Sequence, residues 1–334
     1  MSDSPLRAEV VVVGGGLAGI TTALELLEHD REVLLLDRDV ADRFGGLARW
    51  SFGGLFFVDT PQQRLFGIED SPELALRDWH SFAEFGDDDV WPRRWAEQYV
   101  HRCTDEVYRW LRERGLQFVP VVHWVERGLY RPGNSVPRFH MVWGTGRELT
   151  TTLIDDLRNH RNADRLTTRF RHRVTDLERS NGRVSGVGGV DERTGTPFRA
   201  EGEHVVIAAG GICGDVERLK RHWYPDWGEP PETILNGSHR YADGTLHDAA
   251  AAHGANVTHL DKQWLYAAGV HHPDPEGKPY DALSIVPPKS ALWVNARGER
   301  IGPPPLVSGF DTRDLVAQIA RQETPYSWQV MNGT

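Results

Sequence analysis

Three glycines at the spacing Gly14-x-Gly16-x-x-Gly19 follow directly on the β-branched run Val10-Val11-Val12-Val13. This pattern binds phosphate. Gly14 permits a tight turn, Gly16 lets backbone approach a pyrophosphate, and Gly19 lets a helix pack closely on the strand. Leu17, Ala18 and Gly19 open that helix, whose N-terminus faces the phosphate charge. Asp37 ends a second apolar run at residues 33–36, placed to accept hydrogen bonds from an adenosine ribose, and Arg38 stands beside it at the same site. A second cluster holds Gly45-Gly46, Ser51 and Gly53-Gly54. Paired glycines suit a flat ring system, because only small residues let backbone come that close.

The elements that position these residues are legible from periodicity. Residues 10–13 and 33–36 read as buried parallel strands, and residues 21–28 carry helical spacing. Ser71-Pro72 opens a helix to about residue 85, with serine as cap and proline in the first turn. A longer helix is expected over residues 91–114, stopped by Gly115. Residues 120–146 form a loop rich in proline, glycine and aromatics, and a helix follows at 148–160. Alternating segments at 170–177 and 184–190, joined by Asn181-Gly182, predict a β-meander. The apolar run 204–209 returns to the parallel sheet and ends in Ala209-Gly210-Gly211, a third close backbone approach.

With 334 residues, 39% hydrophobic and 26% charged, the chain has the composition of a soluble globular protein with room for two domains. No apolar run is long enough to span a bilayer, and the N-terminus lacks the basic and apolar regions of a signal peptide, which points to the cytoplasm. A net charge of −10 argues against nucleic acid as a partner. The two cysteines, Cys103 and Cys213, lie far apart without metal-ligand spacing, so no metal is expected. Hydrolase, kinase and metalloenzyme motifs are missing from the sequence.

Together, the strand with its glycine fingerprint, the Gly-Gly-x(6)-Gly-Gly element, the meander and the Ala-Ala-Gly-Gly strand end resemble the flavoprotein family of fumarate reductase, succinate dehydrogenase and 3-ketosteroid 1-dehydrogenase. The resemblance implies an α/β fold: a Rossmann-like FAD-binding domain over residues 1–265, with a meander and a helical insertion at about 60–165, and part of an α+β substrate cap over 266–334. It implies FAD as cofactor, with backbone at Val174 beside adenine, Ser51, Gly53 and Gly54 along the flavin, and Asp243 in a turn beside it. Ala242 replaces the glycine that family members carry before that aspartate. Family members with covalent flavin use a histidine where Leu47 stands, so FAD is expected to be non-covalent.

The resemblance also assigns chemistry. Arg313, in Asp311-Thr312-Arg313-Asp314, matches the arginine that delivers a proton in fumarate reductases, and His272 matches a histidine that binds substrate. Arginine stays protonated at ordinary pH, so such a role requires a carboxylate relay and a dry site. Its plain alternative is an ion pair with Asp311 or Asp314 at a helix start. Leu283-Ser284 replaces the Thr-Glu pair of dicarboxylate-handling members, which favours a larger, steroid-like ring substrate. Tyr241, Tyr266 and Tyr280 are candidates for a general acid or base.

The resemblance further implies a second segment of the FAD domain that this sequence does not contain, so weak FAD retention is expected of the isolated chain. The leading expectation is an FAD-dependent oxidoreductase acting on a CH-CH bond of a small molecule, with an electron acceptor that the sequence does not identify. The alternative is a non-catalytic fragment that binds nucleotide weakly or not at all. An NAD-dependent dehydrogenase is disfavoured by the second glycine element and the meander.

Overall fold

The structure, a computed structural model, describes residues 4–285 and 291–331. Strand β1 (Leu6–Arg7) leads into β2 (Val10–Val13), followed by helix α1 (Leu17–Glu28) and β3 (Val33–Leu36). All eight residues of β2 and β3 are buried, as expected of strands covered on both faces. Strands β4 (Gly54–Phe56) and β5 (Phe139–Met141) pair antiparallel and bracket a helical insertion. That insertion contains α2 (Pro61–Leu65), α3 (Pro72–Ala83), α4 (Val90–Arg102) and α5 (Arg109–Glu113). Ser71 caps α3 by accepting the Leu74 amide, with Pro72 in the first turn. Helix α6 (Thr145–Arg158) then packs against α1.

Strand β6 (Leu166–Arg169) joins the parallel sheet at its edge, and the meander follows as β7 (His172–Ser180), β8 (Arg183–Asp191) and β9 (Thr196–Glu201). Asn181 and Gly182 both have positive φ, the geometry of a tight hairpin. Strand β10 (His204–Ile207) completes a parallel sheet of order β10-β2-β3-β6, beside a second sheet of order β1-β9-β8-β7. The α/β architecture follows from these alternations. Strand β6 left little trace in the sequence because an edge strand with alternating exposure needs no apolar run.

One expected element differs. The segment at 91–114 is not a continuous α-helix: a π-helical turn, Cys103–Tyr108, separates α4 from α5. Both Cys103 and Tyr108 are buried there, and the Thr104 hydroxyl donates to the Val58 carbonyl at 2.5 Å.

Helices α7 (Val216–Arg221) and α8 (Thr245–Ala252) precede two short antiparallel strand pairs, β11 (Gly269–His271) with β12 (Ala282–Ser284) and β13 (Leu292–Val294) with β14 (Trp328–Val330), the second pair enclosing helix α9 (Thr312–Ala320). This last part has its own apolar cluster, including Trp293, Ile301, Leu306, Leu315 and Ile319. A neighbouring cluster joins Trp227 to Val316 and Ala317 of α9, so the stretch before residue 265 contributes to the same packing. Among the described residues, no helix is long and apolar enough to cross a membrane, and no group of acidic, histidine or cysteine side chains could hold a metal.

Candidate functional site

The three fingerprint glycines do different work. Gly14 has φ +111°, and a Cβ there would lie 2.3 Å from the Ala208 carbonyl oxygen. A Cβ on Gly19 would lie 1.8 Å from the Gly14 oxygen, so that glycine is required by helix-on-strand packing. Gly16 differs: a Cβ there meets no described group within 4 Å. That space opens into a cleft of about 210 Å³ lined by Gly14, Gly16, Asp37, Val174, Ala209 and Gly210, among others. Helix α1 starts at Gly16 with no acidic residue in its first turn and no side chain capping it. A helix start with no side-chain cap favours an anion.

Asp37 lines the same cleft at the end of β3. Its Oδ2 accepts the Gly15 amide at 2.5 Å and its Oδ1 the Asp39 amide at 2.6 Å. Burial pushes this carboxyl above its ordinary value, and the two amides pull it back in part. Gly45 donates its amide to the Gly15 carbonyl, and a Cβ on Gly46 would lie 2.9 Å from the Gly16 Cα, so the two glycine elements touch backbone to backbone. Gly46 and Leu47 face the cleft, and Leu47 offers no nucleophile for a covalent flavin bond. Ser51, Gly53 and Gly54 do not line it. A Cβ on Gly53 would lie 2.7 Å from the Gly146 amide nitrogen, one on Gly54 2.1 Å from the Phe139 ring, and Ser51 Oγ accepts the Gly53 amide. Protein packing already requires both glycines.

The wall opposite the sheet comes from residues 238–247. Arg38 donates to Glu192 at 3.2 Å and to Asp243 at 3.0 Å, while its guanidinium lies 4.2 Å from the centre of the Tyr241 ring. Burial works against the charge on Asp243, but Thr245 and Arg38 hold its carboxyl below the usual value. Gly210 has φ +81°, and Gly211 has no described group within 4 Å of a built Cβ, so both leave backbone open to the cleft. Ala242 is buried with its Cβ 3.5 Å from the position a Cβ on Gly210 would take, so alanine is accommodated in place of the family's glycine.

Arg313 lies elsewhere, in a cleft of about 140 Å³ between the helical insertion and α9. The two clefts share no lining residue. The Arg313 guanidinium sits 3.8 Å from the centre of the Phe82 ring, its Nη1 is 3.8 Å from Glu84, and its Nη2 is buried without a partner among the described residues. Glu84 also binds Arg131. Asp311, by contrast, caps α9 by accepting the Asp314 amide at 3.0 Å. His272 lines neither cleft: its Nδ1 accepts the Asp274 amide, and its ring packs on Tyr280, which packs in turn on Trp50. Of the three tyrosine candidates, Tyr241 lines the glycine cleft, while Tyr266 and Tyr280 line neither. Glu84, Tyr130, Arg131 and His239 were not singled out from sequence; Glu84 meets Arg131 and Arg313, and His239 meets Asp39, across long chain separations.

Below the second cleft, Arg138 is buried between Asp70 and Asp78, at 2.7 and 2.6 Å. Arg138 also donates to Asn134, and Asp78 accepts from Ser135, so this ion triad pins the loop leading to Tyr130 and Arg131. The buried His140 accepts from the Thr60 hydroxyl at Nε2 and donates from Nδ1 to the Arg138 carbonyl.

Comparison with known proteins places this arrangement. A KsdD-like steroid dehydrogenase of Mycolicibacterium smegmatis is 40% identical over 97% of this chain and 62% of its own length. The chain spans about three fifths of the length of the curated relatives it matches first. The fold is similar to a 3-ketosteroid-Δ4-(5α)-dehydrogenase from Rhodococcus jostii RHA1 (TM-score 0.67, 22% identity, 92% of this chain and 64% of that one). It is also similar to the open conformation of a flavocytochrome c3 fumarate reductase (TM-score 0.73, 23% identity, 98% of this chain and 53% of that one). The FAD binding domain family matches residues 9–328. An open Gly16, an uncapped α1 and a buried carboxylate at the end of β3 fit the adenosine and pyrophosphate half of that cofactor. This chain belongs to the FAD binding domain family, and FAD is its cofactor.

Proposed function

We propose that the chain is the FAD-binding part of a dehydrogenase acting on a CH-CH bond of a steroid-like ring substrate, with residues 1–265 as the FAD-binding domain and 266–334 as part of the substrate cap. The observation that carries this reading is the 40% identity to a KsdD-like steroid dehydrogenase over nearly the whole chain, coupled to a glycine cleft fit for a dinucleotide. When bound, FAD supplies a hydride acceptor and donor at flavin N5.

The protein's part is to bind, orient and move the proton. The α1 amides hold the pyrophosphate, Asp37 holds a ribose, and Val174, Ala209, Gly210 and Gly211 offer backbone along the cofactor. In the dehydrogenation direction Arg313 can take up the substrate's proton at Nη2 only after passing one of its own on, and Glu84 is the carboxylate beside it to receive that proton. The arginine cleft holds four carboxylates, Glu84, Asp226, Asp311 and Asp314, against three guanidinium groups, Arg131, Arg313 and Arg321. A dicarboxylate would meet excess negative charge there, whereas Tyr130, Tyr224 and Trp227 offer ring surface to a neutral substrate.

The test is reduction of an artificial dye by the FAD-loaded chain with a 3-ketosteroid or with succinate. Turnover with the ketosteroid is expected, reduced by about 10²–10⁴-fold in Arg313→Ala with nucleotide affinity unchanged. Turnover with succinate alone, or an unchanged rate in Arg313→Ala, would overturn the assignment.

A further inference from the structure

The wall at residues 238–243 is built with more care than a mere boundary requires. Tyr241 donates its amide to His239 Nδ1 at 3.2 Å, so His239 carries its proton on Nε2 and donates it to Asp39 at 3.1 Å. Asp39 is buried and is gripped from its other side by Arg43 at 2.6 Å. The residue pair after Asp37 therefore holds this segment twice: Asp39 fixes the backbone of Tyr241 through His239, and Arg38 covers the tyrosine ring. The charge of Arg38 is already met by Glu192 and Asp243, which leaves its planar face, rather than its charge, to a ligand. Tyr241 lines the same cleft as Asp37 and Val174, the ribose and adenine side, and does not line the arginine cleft.

From this geometry we infer that Tyr241, stacked with Arg38, is the aromatic wall that receives the adenosine half of FAD, and that it is a binding residue rather than the general acid or base of the reaction. The inference rests on the FAD reading of the glycine cleft. A purine ring laid along the wall gains a planar π contact, which the ring provides and the phenol hydroxyl does not. His239 and Asp39 act as positioning residues, since neither side chain is needed for that contact.

Binding of ADP and of FAD to the full chain, followed by calorimetry, tests this without any turnover. In Tyr241→Ala both affinities should fall together by about tenfold, the effect of removing one aromatic stacking partner from a base. Tyr241→Phe should bind both ligands as the unaltered chain does, and Arg38→Gln, which removes the guanidinium plane over the ring, should weaken both. ADP affinity unchanged in Tyr241→Ala, or a loss confined to FAD, would overturn the inference, the second outcome assigning the ring to the flavin half. Tyr241→Phe losing ADP affinity would overturn the ring's role in favour of the hydroxyl. If the unaltered chain bound FAD but not ADP, the wall would be refuted with the FAD assignment intact; failure to bind either would refute both.

Discussion

The two clefts are made of different material. The glycine cleft has one wall of backbone, where Gly14, Gly16, Ala209 and Gly210 present peptide groups at the ends of strands β2 and β10. The arginine cleft is made of side chains, with Glu84, Arg131, Tyr224 and Arg313 coming from four separate stretches. A cofactor shared by a whole family can be gripped by peptide geometry, which depends on glycine spacing and little else. A substrate site must differ between relatives, so side chains carry it and loops place it.

If the clefts are independently supported, Asp70→Asn should separate them. Arg138 would lose half of its carboxylate partners in a buried site, at a cost of about 3–5 kcal/mol. Urea unfolding should show that loss, while ADP binding at a temperature where the chain stays folded should keep its affinity. A parallel fall in ADP affinity would show that the insertion supports both clefts.

The same support has a pH signature. Burial lowers the His140 pKa from 6.5 to about 4, so the folded state resists protonation that the unfolded chain accepts. Stability from this group is therefore complete above pH 6.5 and declines as pH falls toward 4, by about 3 kcal/mol in all. His140→Gln should flatten that part of the stability curve, measured by urea unfolding at a series of pH values. An unchanged slope would mean that other groups govern it.

The smallest effect tests the backbone cleft. Gly16 has φ −80°, which alanine adopts freely, and the added methyl meets no described group within 4 Å. Gly16→Ala should keep the melting temperature and weaken ADP by about tenfold, ~1.4 kcal/mol. Full ADP affinity in that variant would place the pyrophosphate elsewhere.

Much of the cofactor side was legible in the sequence because its cause is local. Val10–Val13, Gly14, Gly16 and Gly19 lie within ten residues of one another, and the hairpin at Asn181-Gly182 needs only its own dihedrals. The π-helical turn at Cys103–Tyr108 left no such trace, since its extra residue answers to the buried positions of Cys103 and Tyr108. Ser51, Gly53 and Gly54 show the limit of motif reading, for packing against α6 and Phe139 requires the same small residues as a flavin would.

The sequence by itself determined a parallel sheet, a glycine turn between β2 and α1 and a carboxylate at the end of β3, all set by periodicity and short spacing. Only the tertiary structure decided that Arg313 faces Glu84 and Phe82, that Arg38 covers Tyr241, and that His239 reaches Asp39. Each of those pairs joins distant parts of the chain, and side chains so far apart in sequence meet only after the sheet and its insertions have packed.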